Sequence, residues 1–333
     1  MLGPAQTVPG DEWVQWAAQN LACGISDAKV IEELGRGGVS EPDATALVAS
    51  LRRSPIFAAA ERLGAEVRKW TSLADALLSL EEQRFDFTSV PRVSNLPADE
   101  FHRDYYAANR PVIIEDVADK WPALEKWSLQ FLRERFGEEM VSFQRGRSPA
   151  DHRDSFIDHS RTASLNAYID LIEREDRTND YYLIAHDRLL DRPAFAPLFD
   201  DIVFDDRYFD PIDRQGRVFF WLGPQGSTTP MHRDLGNVFL AQIRGRKSIK
   251  LVPSKQMHKV YNEIGYHSEV DFEKMDSATY PFLRDIHLAE AIVAPGELLF
   301  IPLGWWHHVK ALDQTITITG NNFRFSNAFA AIF

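Results

Sequence analysis

From Arg217 onward the chain breaks into short apolar runs punctuated by Gly and Pro: RVFFWLG, NVFLAQI, KSIKLV, AIVA, ELLFIP, HHVKAL and TITIT. Runs this short, rich in β-branched and aromatic residues and bounded by turn formers, read as strands. So many of them in succession predict a β-sandwich or small barrel. No internal repeat or low-complexity tract interrupts the pattern.

The beginning of the chain has a different texture. Trp13, Trp16, Ala17, Asn20 and Leu21 recur at helical spacing,. Gly24 follows as a stop, and Ser26-Asp27 caps a second helix that ends near Gly35-Arg36-Gly37-Gly38,. Ser40-Glu41-Pro42-Asp43 opens another, through Leu47, Val48 and Leu51, and a longer one runs from Ser54-Pro55 to Leu80. Four or five helices therefore form a small all-α domain, residues 1–85, whose tryptophans and leucines are expected to make its own core. It carries no catalytic constellation. The second domain, residues 86–333, starts with a helix at Pro97–Ala108, a strand at Pro111–Glu115, a helix at Ser128–Phe136 and a strand near Met140–Gln144.

Composition narrows the class. The 44% hydrophobic and 26% charged shares of the 333 residues are those of a globular enzyme,. A formal charge of −12 argues against broad nucleic-acid binding, which needs a positive face,. The lone Cys23 rules out an internal disulfide and a thiolate cluster and suits a reducing, cytoplasmic setting,. The N-terminus shows no basic segment followed by an apolar core. The most apolar stretch, AIVAPGELLFIPLGWW, is too broken by Pro and Gly to span a bilayer as a helix,.

Histidine and aspartate two apart on a strand share a face, because side chains alternate with period two. Such a pair with one distant histidine makes the facial triad that holds non-haem iron(II) and leaves positions open. The sequence offers His-Arg-Asp three times, at His102, His152 and His232, and a His-x-Glu at His267. His102 falls in a helical stretch, His152 in the polar run RGRSPADHRDSFIDHSRT, and His267 in a loop after Gly265. His232, with Asp234, is followed at once by an apolar strand, Val238–Ile243, which selects it. The third ligand should come from the strand opened by Trp305-Trp306-His307-His308. Adjacent histidines face opposite ways, so spacing leaves His307 and His308 both open.

TTPMHRD, FLAQIRGRK, GELLFIP and WWHHV occur in this order, with RPVIIEDVADKWPALEKWSLQFLRERFG upstream. Together they resemble the JmjC domains of the cupin-like hydroxylases, in particular asparaginyl and arginyl hydroxylases. The resemblance covers Asp86 to Phe333. It implies a double-stranded β-helix (a jelly-roll) with flanking helices, mainly β with α. It implies iron(II) held by His232, Asp234 and His307, with 2-oxoglutarate and dioxygen as co-substrates.

By the same resemblance Lys247 matches the lysine that binds the far carboxylate of 2-oxoglutarate. Strand parity agrees, since Lys247 shares a face with Ile249 and Leu251 while Lys250 points away. Thr229, Tyr182 (with Tyr181 adjoining) and Asn321 match further co-substrate contacts. One departure is that Val238 stands where relatives carry asparagine, with Asn237 one place earlier. Trp305 and Trp306 are placed to wall the cavity, and the segments Arg145–Asp180 and Ser254–Glu290 to frame a cleft.

The expected reaction is hydroxylation of a side chain in a peptide or protein. The alternatives are a free amino acid or small metabolite, N-methyl-lysine demethylation, a modified RNA base, or a non-catalytic cupin-like binding module. The sequence runs only a short way past TITIT, where the resemblance would place dimerising helices. The helical domain is therefore expected to supply a homodimer contact or a substrate-docking surface.

Overall fold

A computed structural model of the chain describes residues 10–147, 159–174, 177–262, 265–277 and 279–329. They form two compact units that divide between Arg84 and Phe85.

The first unit has four helices: α1 (Asp11–Ala22), α2 (Asp27–Arg36), α3 (Glu41–Arg53) and α4 (Pro55–Glu81). Each of the last three opens on a serine whose side chain accepts a backbone N–H of its first turn: Ser26 from Lys29, Ser40 from Asp43 and Ser54 from Phe57,. Ala17, Leu21, Val30, Leu34, Val48 and Phe57 form the core, with Trp13 and Trp16, edge to face with each other, packed against it. The leucines and the tryptophan of α4 do not join them. At 27 residues α4 is more than twice as long as the 12-residue α1, and it outruns the small core that α1–α3 close. Leu63, Trp70, Leu77 and Leu80 are exposed, which corrects the expectation that every tryptophan and leucine here is internal.

In the second unit thirteen strands are described: β1 (Arg92–Val93), β2 (Val112–Ile114), β3 (Met140–Arg145), β4 (Ser160–Ser164), β5 (Tyr181–Tyr182), β6 (Val218–Gly223), β7 (Thr228–Arg233), β8 (Val238–Arg244), β9 (Lys247–Val252), β10 (Ala289–Val293), β11 (Leu298–Ile301), β12 (Trp306–Ala311) and β13 (Thr315–Gly320). They form a six-stranded sheet in the order β1-β2-β11-β8-β13-β6, a four-stranded sheet β10-β9-β12-β7, and a small sheet β4-β3-β5. From β6 onward the chain alternates between the two larger sheets, except that β9 and β10 both lie in the four-stranded one, the path of a double-stranded β-helix.

Both faces of the six-stranded sheet are covered, which is why its strands read as unbroken apolar runs. In β6, Val218, Phe220 and Leu222 enter the main core, packing with Tyr168 and Ile169 of the helix Leu165–Arg174 and with Trp127. Phe219 and Trp221, one residue out of phase, line the cavity between the sheets. The outer face of the four-stranded sheet is sealed by Val260, Val270, Phe272 and Leu283, packed on Met231, Val252 and Trp306. Much of the Ser254–Glu290 connection thus serves packing; of its described residues, His267 lines the cavity. No described residue of the Arg145–Asp180 stretch lines it, and the His152 motif lies outside the described residues.

The crossing from β8 in one sheet to β9 in the other takes only Gly245 and Arg246. Gly245 has φ +66°, and a Cβ there would stand 2.2 Å from the carbonyl oxygen of Gln314. Gln242, fully buried, donates to the carbonyls of Arg244 (2.7 Å) and Gly245 (3.0 Å) and accepts from the Thr317 hydroxyl (2.9 Å). Gly245→Ala is therefore expected to cost about 1–3 kcal/mol, seen as a thermal midpoint lower by roughly 3–8 °C. An unchanged midpoint by calorimetry would show that the crossing relaxes freely.

Candidate metal and co-substrate site

β7 and β12 are antiparallel neighbours, with His232 directly opposite His307. A cross-strand pair brings the two Cβ atoms to about 5 Å, so both imidazoles face one point. Their ring centroids are 4.1 Å apart. Asp234 lies just past the end of β7, in the turn and not on the strand, so its place on the same side comes from the turn and not from strand parity. Its Oδ2 is 3.6 Å from His307 Nε2. One ligand atom from each of the three can be chosen so that all lie within 4.8 Å of one another.

Pro230 governs this arrangement. Between Thr229 and His232, β7 holds one more residue than the facing stretch of β12 from Val309 to His307. A bulge of this kind reverses strand parity, and proline, lacking an N–H to give the ladder, suits the irregular position. Thr229 and His232, three apart, can therefore both line the cavity. The Pro230 carbonyl also lies 2.8 Å from His232 Nδ1, and the Trp305 carbonyl 3.1 Å from His307 Nδ1. Each carbonyl accepts a hydrogen bond from a proton held on Nδ1 and leaves the Nε2 lone pair to face the cluster, an arrangement typical of histidines that bind metals,.

Burial and the neighbouring His232 hold the His307 pKa down to about 4. His308 faces the other way, toward Glu273 at 3.8 Å, and burial with nearby Lys250 likewise holds it near 4. Two imidazoles and a carboxylate are a donor set that fits iron(II) and leaves the cavity side open.

The cavity, about 510 Å³, runs from this cluster between the two sheets. Lys247 sits in it on β9, 2% exposed, paired across the strands with Ala311, while Leu251 on the same strand pairs with His307. The four steps along β9 from Lys247 to Leu251 span about 13 Å, a gap that the lysine's long stem partly closes,. Its Nζ donates to the Tyr182 hydroxyl at 3.1 Å. Among the described residues it has no carboxylate within ion-pair distance. Thr229 and Asn321 line the same cavity, and the buried Asn321 Oδ1 has no hydrogen-bond partner.

Tyr182 rather than Tyr181 reaches this point, because Tyr181 points into the main core. β5 is tied beside β6 by Tyr168, whose hydroxyl donates to the Leu222 carbonyl (2.6 Å) and accepts from Leu183 N–H (3.0 Å). Lys250, on the opposite face, donates to the Phe272 carbonyl at 2.7 Å.

Other features differ from the sequence reading. Trp305 and Trp306 do not wall the cavity. Trp305 packs on Phe87 and donates to the Asn109 carbonyl at 2.9 Å, and Trp306 faces the outer cluster, because strand parity turns it away from His307. Trp221 takes the wall position instead, a residue that the sequence reading placed in a strand without assigning it a role. His267 pairs with His232 as an isolated bridge and stacks on its ring at 5.6 Å. Its side chain faces the site although its sequence context is a loop. Asn237, beside the departure at Val238, is buried and accepts from Leu303 N–H at 2.7 Å, holding the turn that leads into β12. The His102 motif lies on the outside: Arg103 pairs with Asp104 at 2.6 Å, and the His102 ring stacks on Tyr106.

Comparison with known proteins accords with this architecture. The model of the cupin-like domain matches residues 97–329. The chain belongs to the cupin-like JmjC family. This cupin-like chain is 30% identical over 239 residues to lysine-specific demethylase 8 of Xenopus tropicalis, covering 70% of this chain and 52% of that protein. It is 29% identical over 238 residues to lysine-specific demethylase JMJ30 of Arabidopsis thaliana, covering 69% and 54%. It is 28% identical over 253 residues to JmjC domain-containing protein D of Dictyostelium discoideum, covering 69% and 55%. The cupin-like chain thus spans about half the length of these relatives. Among the described residues no helix is long and apolar enough to cross a membrane.

The two buried histidines give a pH dependence. Each stays neutral when folded down to about 4 but charges near 6.5 when unfolded. The unfolded chain therefore takes up protons first as pH falls, and stability drops between those values, by on the order of 3 kcal/mol per histidine. In chelator-treated protein the urea midpoint should fall from pH 6.5 to 4, and His308→Gln should remove about half of that slope. A flat profile across this window would contradict the burial argument.

Proposed function

We propose that this chain is an iron(II)- and 2-oxoglutarate-dependent oxygenase that hydroxylates a side chain of a peptide or protein. One observation carries the reading: the His232–Asp234–His307 cluster opens onto the same cavity that holds a buried lysine which, among the described residues, has no carboxylate partner. A buried ammonium is costly unless an anion meets it. A short dicarboxylate reaching from a metal to that lysine is the ligand such a cavity calls for.

In this reading His232, Asp234 and His307 hold the metal by two nitrogens and one oxygen. Lys247 Nζ, with the Tyr182 and Thr229 hydroxyls, anchors the far carboxylate of the keto acid, and Asn321 supplies a further polar contact. Iron(II) with the bound keto acid and dioxygen would supply the oxidation, giving succinate, carbon dioxide and one oxygen atom for a substrate C–H bond. Trp221 and Phe219 keep that volume apolar and exclude water.

The names of the first two relatives favour a second reading, removal of N-methyl groups from lysine. The charge of the cavity speaks against it. Among the described residues that line it, Asp234 is the only carboxylate and belongs to the metal cluster, while Lys247 and Arg217 are cationic. A methylated ammonium would find no counter-anion there, whereas a neutral side chain needs none.

Iron-dependent succinate formation, followed by mass spectrometry of candidate peptides, separates the two. Hydroxylation adds one oxygen atom to the peptide; demethylation removes a methyl group and releases formaldehyde. His232→Ala or Asp234→Ala should abolish turnover with the fold intact, and His102→Ala should leave it unchanged. Lys247→Ala should raise KM for 2-oxoglutarate by about 10- to 100-fold, the loss of a charge-assisted bond, and Lys250→Ala should not. Equal effects of the two lysine substitutions would overturn the co-substrate assignment.

A further inference from the structure

Apolar exposure on this chain is concentrated in one helix. Of the sixteen large apolar side chains exposed among the described residues, seven lie on α4. Ile56, Leu63, Trp70 and Leu77 recur every seven residues, at 84%, 69%, 69% and 43% exposure. Val67, Leu73 and Leu80 fall between them, at 59%, 48% and 59%. The inward side of the same helix is smaller and more polar through Gly64, Arg68 and Thr71, where Arg68 donates to the Ala22 carbonyl. The apolar stripe of α4 is therefore its outer one.

We propose that this stripe pairs antiparallel with the α4 stripe of a second copy of the chain. A seven-residue apolar repeat sustained from Ile56 to Leu77 along a 27-residue helix is the signature of a helix that meshes with another of the same period,. An identical helix has that period by definition, and a two-fold axis makes the contact self-complementary.

The exposed area is sufficient. Seven side chains each exposing on the order of 100 Å² approach the roughly 800 Å² that one partner contributes to a stable interface. Contiguous apolar patches of more than a few hundred Å² are uncommon on monomers.

Charge selects the antiparallel sense. With Arg68 turned inward to the Ala22 carbonyl and Glu61 paired with Arg52, the half from Pro55 to Lys69 offers the seam Arg62 and Lys69 against Glu66, two cations to one anion. The half from Trp70 to Glu82 carries Asp75, Glu81 and Glu82 and no cation. Antiparallel pairing sets the net-positive half of each helix against the net-negative half of the other. Within Pro55–Glu81 the balance is three cations to four anions, so the seam also avoids the repulsion expected of a chain at −12.

The test is the solution mass of the full chain by sedimentation velocity. The wild type should sediment as a dimer, and a Leu63→Glu, Trp70→Glu double variant should halve that mass. Its circular dichroism and its KM for 2-oxoglutarate should be unchanged. A monomeric wild type at tens of micromolar, or a double variant that stays dimeric, overturns the proposal. So does a wild type that is monomeric and loses thermal stability with the double substitution, since the stripe then packs within its own chain.

The sense of pairing is read in a Cys23→Ser background. Chains carrying Ile56→Cys, mixed with chains carrying Leu80→Cys, should form the mixed disulfide on mild oxidation. Each variant linking only with itself would mean parallel pairing and would overturn the antiparallel assignment.

Discussion

The antiparallel pairing of β7 with β12 is the contact on which the rest of the site depends. It sets His232 opposite His307, and a cross-strand pair is among the shortest fixed separations a sheet offers between side chains distant in sequence,. The bulge at Pro230 corrects the phase of β7, so that Thr229 upstream shares the cavity face with His232. The same proline and Trp305 present carbonyls to the two Nδ1 atoms, which fixes both rings and their tautomers at once. The two histidines are positioned by the sheet itself, and Asp234 by the turn that follows β7.

Lys247 is the second constraint. Cores usually exclude a cation or pair it, and among the described residues this one meets a tyrosine hydroxyl and two aromatic faces, Tyr182 and Trp221, at 5.6 and 6.0 Å. Aromatic faces attract a cation but do not neutralise it. The six-stranded sheet, apolar on both faces, supplies the stability that lets the fold tolerate such a group. Site and core are thus divided by strand parity: even-numbered residues of β6 build the core and odd-numbered ones build the cavity.

The helical unit follows another logic. Its three shorter helices close a small core and α4 continues beyond it, so the fold leaves a long apolar stripe that its own helices do not need. Surface that is costly to expose and regular in spacing is more economically explained by association than by chance.

Much of this was written in the sequence. Serine caps at Ser26, Ser40 and Ser54 and three- and four-residue spacing define the helices, because those signals act within a few residues. Period-two alternation and Gly/Pro breaks define the strands, and parity alone turns Lys247 inward and Lys250 outward. Choosing His232 over His102 needed only the strand that follows it. What the sequence could not determine is whatever depends on register between distant strands. The bulge at Pro230, the stacking of His267, the wall at Trp221, the outward turn of Trp305 and Trp306, and the burial of Asn237 all arise from pairing across tens of residues. The exposure of α4 was likewise hidden, because an apolar stripe looks the same whether it faces a core or solvent. Local sequence sets which way a side chain points from its own strand or helix; only the tertiary structure decides what it meets there.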